Sequence, residues 1–249
     1  MRSAMRPYLE TDTHSKNGEA PGYTVRSIYY DTSRIQCYYE KVEGIKTRKK
    51  FRIRGYNAQA TGSVVYLEIK RKHIDFIAKD RAPLMYSELP ELFTERNIDD
   101  HILSYGDNGA EKESARHFLY HYFCHRLRPI VLITYDREAY FSKFDDSLRI
   151  TIDKNLRSSM FPKLDDLFDE SQAISAMRKH VVLEVKFFGG LPAWVLALIE
   201  KYSLQRMAIS KYAICLESHG ISKERRSRLN AVPYLDTPVK HHITGLSRV

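Results

Sequence analysis

Residues 46–56 read KTRKKFRIRGY, and in them Lys46, Arg48, Lys50, Arg52 and Arg54 recur at every second position. Side chains along a strand alternate faces, so all five cations share one face, with neighbours roughly 6.5–7 Å apart. Phe51 and Ile53 fall on the other face, and this apolar alternation marks a structured strand, not a disordered basic run. Two unit charges at that spacing repel by about 0.6 kcal/mol in water and roughly 2.5 kcal/mol at an effective dielectric of ~20. A face that lines up five of them needs bulk water or a polyanion in front of it. An edge strand kept soluble by charge would meet the first condition.

Three further segments repeat the design. In VVYLEIKRK (64–72), Val65, Leu67 and Ile69 oppose Tyr66, Glu68, Lys70 and Lys72. In VVLEVKF (181–187), Val181, Leu183 and Val185 alternate with Glu184 and Lys186. In SLRITID (147–153), Leu148, Ile150 and Ile152 alternate with Arg149, Thr151 and Asp153. If the charged faces met, the product would be a barrel with a charged lumen and an apolar exterior under helices. A sandwich would turn the same strands the other way round. Alternation alone leaves both open.

The 249 residues suit one large α+β domain or two small ones, and a 43% hydrophobic content is ample for a core. A net charge of +9 favours anionic partners: nucleic acid, phosphorylated small molecules, polyphosphate or a membrane surface. Cys37, Cys124 and Cys215 are scattered and odd in number, as expected of reduced thiols in a cytoplasmic protein, with Cys124 and Cys215 in helical core patterns. There is no run of 18 apolar residues to span a membrane, and MRSAMRPYLETD lacks the apolar stretch of a signal peptide.

Along the chain, a helix is predicted over about Met1 to Glu10, then a polar loop containing NGEAPG, a strand over 23–31 and a short helix or turn in SRIQCYYEKVEG. The run after the 64–72 strand is expected to end at Pro83. Helical periodicity returns in 89–109 and more strongly at about 111–127, where Ala115, Phe118, Leu119 and Tyr122 recur at three- and four-residue spacing. RPIVLITYDREAYF reads as a strand with a return, and LRITIDKNLRS as another strand. Pro192 opens a helix to about Tyr202, and Gly220 ends the last one. Residues 220–249 read as a basic flexible tail. His117, His121 and His125 share one helix face, read as partly exposed surface and not as a metal site. No Ser/His/Asp arrangement supports nucleophilic catalysis.

Taken in order, VRSIYYDT (25–32), YYEKVEG (38–44), KTRKKFRIRGY, YLEIKRK (66–72), KDRAPL (79–84), YDREAY (135–140), LRITID (148–153), VLEVKF (182–187) and ISKY (209–212) resemble the VTC domain. That is the polyphosphate polymerase module of the triphosphate tunnel metalloenzyme superfamily, related to CYTH domains. The resemblance covers residues 1–219, and nine motifs in sequence make it specific. It implies an α+β fold: an antiparallel β-barrel tunnel with a charged lumen and helices packed outside.

By motif, the resemblance implies that Arg52, Arg54 and Lys70 are the catalytic tunnel cations. Lys50, Lys79, Arg137, Lys186, Ser210 and Lys211 would bind substrate phosphate. Glu184 corresponds to the family's metal-binding glutamate, while Glu68 would bind metal or pair with Lys70 or Arg52. The residue types suit the chemistry. Arg offers bidentate donors to phosphate oxygens, Lys a movable point charge, and a carboxylate holds Mn²⁺ or Mg²⁺ against reacting phosphates. The implied reaction moves the γ-phosphate of an NTP, with ATP expected, onto a polyphosphate chain. Alternatives are a catalytically weak polyphosphate or nucleotide sensor or scaffold, and a triphosphatase in which Glu68 and Glu184 activate water. Nucleic acid is not expected, since no aromatic stacking platform is identifiable.

Two positions depart from the family pattern. Members begin with a strand of the type R-x-E-x-K-Y before the helix that here starts at Met1, so one barrel strand is expected to be missing. Ala208 stands where polymerase members often carry a basic residue. Neither an SPX domain nor a transmembrane helix is expected beside the module, which leaves room for a membrane-protein partner.

Overall fold

The computed structural model describes residues 1–12, 22–106 and 109–221, with the backbone of 242–244 and 247–248. Helix α1 (Arg2–Met5) is only one turn long. Pro7 cannot continue it, and the second half of the predicted helix is instead strand β1 (Leu9–Thr11). β2 (Tyr23–Asp31), helix α2 (Gln36–Val42), β3 (Thr47–Tyr56), β4 (Val64–His73) and β5 (Phe76–Met85) follow. Pro83 lies within β5, where its carbonyl still accepts from Leu103 N at 2.9 Å. A proline is tolerated there because β5 is a terminal strand.

The helical stretch after β5 divides at Arg96, in a left-handed conformation, into α3 (Leu89–Glu95) and α4 (Ile98–His101); α5 (Ala110–Cys124) is longer. β6 (Arg128–Ser142) runs unbroken for 15 residues, with a bulge between Thr134 and Asp136 where a return was expected. Then come β7 (Leu148–Met160), β8 (Ile174–Ser175), β9 (Val182–Phe187), α6 (Ala193–Lys201), β10 (Gln205–Met207) and α7 (Lys211–Ser218). Two short segments, β11 (His242–Thr244) and β12 (Ser247–Arg248), lie parallel to β9. The rest of the expected basic tail beyond 221, and most of the NGEAPG loop, lie outside the described residues.

Hydrogen bonds connect the strands in the order β10-β11-β9-β7-β6-β2-β3-β4-β5. The run from β9 to β5 is antiparallel throughout. Among the described residues the path does not close on itself, so the fold is an open, rolled sheet and not a hydrogen-bonded barrel. Its curvature can be read from charge. Lys70 on β4 lies within electrostatic reach of Glu184 and Lys186 on β9, five strands away in the sheet. Laid flat, five spacings of about 4.8 Å would separate them by roughly 24 Å, well beyond a Debye length of about 8 Å. The sheet therefore curls until its charged face looks at itself.

Burial on the convex side drives the curl. Ile28, Ile53, Leu67, Ile69 and Leu84 pack under Leu89, Leu92, Phe118 and Leu119 of α3 and α5. Leu148, Ile150, Leu183 and Val185 pack under Val195 of α6 and Met5 of α1. Glu138, buried on β6, holds α1 by accepting from Arg2 Nε at 2.8 Å. The seventh helix takes the other side. Tyr212, Cys215 and Leu216 of α7 pack against Val25, Tyr29, Ile133 and Tyr135 on the concave face. Cys215 is fully buried as expected, but Cys124 at the end of α5 is exposed.

Gly22 opens β2 with φ of +139°, and a Cβ there would stand 2.9 Å from the Arg137 carbonyl oxygen. Gly22→Ala should lower the denaturation midpoint by an amount equivalent to about 1–3 kcal/mol, because both the backbone conformation and the contact are strained. An unchanged midpoint would show that the entry to β2 gives way freely.

Candidate functional site

Strand register assembles the site. Directly paired residues of neighbouring strands share a face. Lys50 lies opposite Lys70, Arg52 opposite Glu68 and Tyr29, and Arg54 opposite Ser27; on the next strand Lys70 meets Lys79, and Glu68 meets Arg81. Glu68, completely buried, sits at the centre. Its Oε2 is 2.6 Å from Arg52 Nε and 3.7 Å from Arg54 Nε, and its Oε1 is 2.7 Å from Lys79 Nζ and 3.5 Å from Arg81 Nε. Burial alone would raise the carboxyl pKa, but Arg52, Arg54 and Lys79 outweigh it and hold the group well below the usual carboxylate range. Glu68 thus pairs with Arg52 and not with Lys70, and both its oxygens face cations.

A second knot lies across the trough on β6 and β7. Arg137 holds Asp153 in a bidentate pair at 2.6 and 2.8 Å. Lys211 Nζ reaches the same carboxylate at 2.6 Å. Lys211 and Arg137, outweighing burial, pull Asp153 down to about 2. The Tyr135 ring lies beneath both cations, 4.7 Å from Lys211 Nζ and 5.3 Å from the Arg137 guanidinium.

Helix α7 bridges the two knots. Ser210, its N-cap, accepts from Ala213 N and from Lys50 Nζ at 3.0 Å. Tyr212 stacks on Tyr29 with centroids 5.2 Å apart, and its hydroxyl donates to Asp31 at 2.8 Å. Asp31 also accepts from the Cys37 and Tyr38 amides at the start of α2. Tyr29 was not singled out by the sequence. Its hydroxyl accepts from Arg52 Nη1 at 2.9 Å. Although burial raises a phenol, Arg52, Arg54 and Lys50 overcome it and pull Tyr29 down to about 8. The signal was present in YYD: Tyr29 shares the parity of Asp31 and lies opposite Arg52. Arg81, also missed, stacks 3.5 Å over the Tyr66 ring beside Glu68.

The lysines differ from the arginines. Burial, aided by Lys70 and Arg52, lowers Lys50 to about 8 against the opposing effect of Tyr29. Burial with Arg81 and Arg52 lowers Lys79 to about 8 against Glu68. Lys70 is also lowered, by partial burial of its stem and then by Arg52 and Lys186, with Glu184 opposing. It has no ion pair within 4 Å among the described residues. The nearest cation to Glu184 is Lys186, at 3.7 Å. This leaves Glu184 the least neutralised of the trough carboxylates Glu68, Asp153 and Glu184. No three His, Cys, Asp or Glu side chains gather into a metal site among the described residues. To a divalent metal Glu184 would offer one carboxylate, with phosphate oxygens and water left to complete the shell.

The histidine row belongs to the outer side. His121 contacts Lys49 Nζ at 3.1 Å and the Phe51 ring, and burial followed by Lys49 pushes it down to about 4. His117 lies 3.1 Å from Glu113 and 3.6 Å from Asp80.

Compared with known families, residues 1–219 match the VTC domain family model. No curated protein matches the chain.

Two expectations follow from this geometry. Glu68→Gln removes the centre of four cations, and breaking so buried a pair should cost about 3 kcal/mol, seen as a lowered melting temperature. Saturating triphosphate should restore part of that loss by supplying the missing negative charge; equal loss with and without triphosphate would count against anion binding here. Separately, Lys50 and Lys79 discharge as pH rises through about 8, and a bound polyanion favours their charged forms. Triphosphate affinity measured by calorimetry should therefore fall on the order of tenfold between pH 7 and 9.5, and a Lys50→Arg/Lys79→Arg variant should flatten the profile. A wild-type profile flat over that window would place both ammonium groups well above 8.

Proposed function

The chain belongs to the VTC domain family, and from that premise we propose that it is a polyphosphate polymerase-type phosphotransferase. An NTP, with ATP the expected one, binds along the concave face, and its γ-phosphate passes to the end of a polyphosphate chain in the same trough. One observation carries the reading most strongly. Lys50, Arg52, Arg54, Lys70, Lys79, Arg81, Arg137, Lys186 and Lys211 stand together, and among the described residues the carboxylates within ion-pair distance of them are Glu68, Asp153 and Glu184. Two of those carboxylates are already saturated by cations, so the trough keeps a large positive excess that a chain of phosphates would neutralise.

The reaction asks little covalent help of the protein. A terminal oxygen of the chain attacks Pγ, the bond from Pγ to the bridging oxygen breaks, and the NDP leaves with that oxygen's electron pair. Positioning and charge stabilisation do most of the work in such transfers. Arg52, Arg54 and Arg137 are held rigid by Glu68 and Asp153 and present fixed donors. Lys70, Lys79 and Lys186 keep water contact at their tips and follow the phosphates. Ser210 and Lys211 at the start of α7 close the other side. When bound, Mn²⁺ or Mg²⁺ would neutralise charge on the reacting phosphates, and Glu184 would hold it.

The hydrolase reading fits less well. A water-activating base needs a carboxylate with a free lone pair, and Glu68 has cations on both oxygens. No paired, unencumbered carboxylates remain in the trough among the described residues.

Lys70→Ala is the most informative variant, because Lys70 supports no ion pair whose loss would unfold the sheet. Its melting temperature should stay unchanged, while triphosphate affinity falls about 10- to 100-fold, the value of one charge-assisted contact. In parallel, the protein is incubated with ATP and Mn²⁺ and chain formation is followed by ³¹P NMR. Glu184→Gln should reduce Mn²⁺-dependent synthesis far more than metal-free triphosphate binding. Tight triphosphate binding without any chain formation would assign the protein to the sensor class. Full affinity in Lys70→Ala would remove the trough from the argument.

A further inference from the structure

The hairpin joining β4 and β5 ends in a feature that the trough does not use. His73 pairs with Phe76, so the turn consists of Ile74 and Asp75. Ile74 has φ of +53°, the left-handed region where two-residue hairpins place Asn, Asp or Gly. A β-branched side chain there is strained. The fold gains no burial in return. Ile74 is 51% exposed, Phe76 71% and Ile77 47%. Ile45, whose neighbour Lys46 accepts from Ile74 N at 3.1 Å, is 44% exposed.

Cations surround this apolar tip. Lys72 lies opposite both Arg48 and Ile77, and Lys46 adjoins the turn. None of Lys46, Arg48 and Lys72 has a carboxylate within ion-pair distance among the described residues. They crowd one another instead: Lys41, lowered first by burial, is lowered further by Arg48 and Lys72. Acidic residues of this end include Asp75 in the turn, Glu43 in the turn before β3, and Glu217, which partly offsets the lowering of Lys41. On the other side of the hairpin, Arg71 is paired with Asp80, and Lys49 contacts His121.

We propose that the β4–β5 tip docks the protein on the surface of an anionic lipid bilayer. Ile74, Phe76 and Ile77 enter the boundary between headgroups and acyl chains, while Lys46, Arg48 and Lys72 meet lipid phosphates. A soluble polyanion would match the cations but leave the apolar side chains in water. The tip protrudes, so a bilayer receives it without the complementary pocket a protein partner would need, and mixed apolar and basic surfaces bind anionic membranes by both contributions. Arg48 and Lys72 continue directly onto Lys50 and Lys70, so the docked protein would hold this mouth of the trough at the membrane. Ile74, Phe76 and Ile77 lie outside the residues given catalytic or phosphate-binding roles, so membrane docking stands apart from the catalytic reading.

The test is cosedimentation of the full chain with phosphatidylcholine vesicles, with and without 30% phosphatidylserine. Wild type should bind the anionic vesicles at least tenfold more tightly, and raised salt should weaken that binding. A variant Ile74→Asn/Phe76→Ser/Ile77→Thr keeps every charge and should lose at least tenfold on the same vesicles. Ile74→Asn alone should weaken binding while its melting temperature rises by a few degrees, since Asn tolerates the left-handed turn. Unimpaired binding by the triple variant would overturn the proposal in favour of general attraction by a basic chain. Equal binding of wild type to both vesicle types would overturn it too. So would a wild-type dimer, seen by light scattering, that the triple variant abolishes while vesicle binding is absent. A lower melting temperature for Ile74→Asn would remove the strain argument.

Discussion

Glu68 and the cations around it set the terms for the rest of the fold. Arg52, Arg54, Lys79 and Arg81 project from the two strands that flank β4 into one space, and without a carboxylate among them the register would be opposed by several mutual repulsions of a few kcal/mol each. Glu68 is central because the register puts it opposite both Arg52 and Arg81. It lets the strands assemble before any ligand arrives, yet one negative charge cannot neutralise four positive ones. The remaining excess is what a polyanion meets. Asp153 does the same for Arg137 and Lys211, so the trough is built from two partly neutralised knots joined by α7.

The rolled sheet follows from where the apolar faces went. Two separate clusters, one under α3 and α5 and one under α6 and α1, bury the convex side. The charged faces are left to converge, and the two walls come within electrostatic reach without a hydrogen bond joining β5 to β10. Helix α7 substitutes for closure on the concave side. Tyr212 on Tyr29, Ser210 on Lys50 and Lys211 on Asp153 tie one helix end to three strands.

Alternation made much of this readable. β2 occupies the predicted 23–31, and the parity of KTRKKFRIRGY and VVYLEIKRK places Lys50, Arg52, Arg54, Glu68 and Lys70 on one face. The misses share a cause: parity is local, and some outcomes depend on distant partners. β1 forms after Pro7 because β6 offers it an edge, with Leu9 opposite Ser142. β5 passes through Pro83 because it ends the strand path, and the short bridge at Ile102–Leu103 on its outer side uses the Pro83 carbonyl and no Pro83 donor. Tyr29 looked like one more strand aromatic until Arg52 and Tyr212 arrived from segments 23 and 183 residues away. Cys124 had the helical spacing of a core residue, but α5 ends where its neighbours no longer cover it.

The division between cations held by a carboxylate and cations left outside shows how the trough can be both fixed and responsive. Arg52, Arg54 and Arg137, each with side chains less than one-fifth exposed, are bound to Glu68 or Asp153, as are Lys79, Arg81 and the largely buried Lys211. A guanidinium stays charged under any burial and lies flat against a carboxylate in a set orientation. Lys79 and Lys186 are about two-fifths exposed, and Lys70 is exposed as well. An ammonium on a flexible stem can follow a sliding phosphate, and it can lose its proton when like charges crowd it. Preorganised charge is effective because it need not reorient as the transition state forms, and in the proposed transfer a chain lengthened one unit at a time would also need partners that move. Cations locked by Glu68 and Asp153, and lysines such as Lys70 and Lys186 left outside those two knots, meet those two demands with side chains of the same sign.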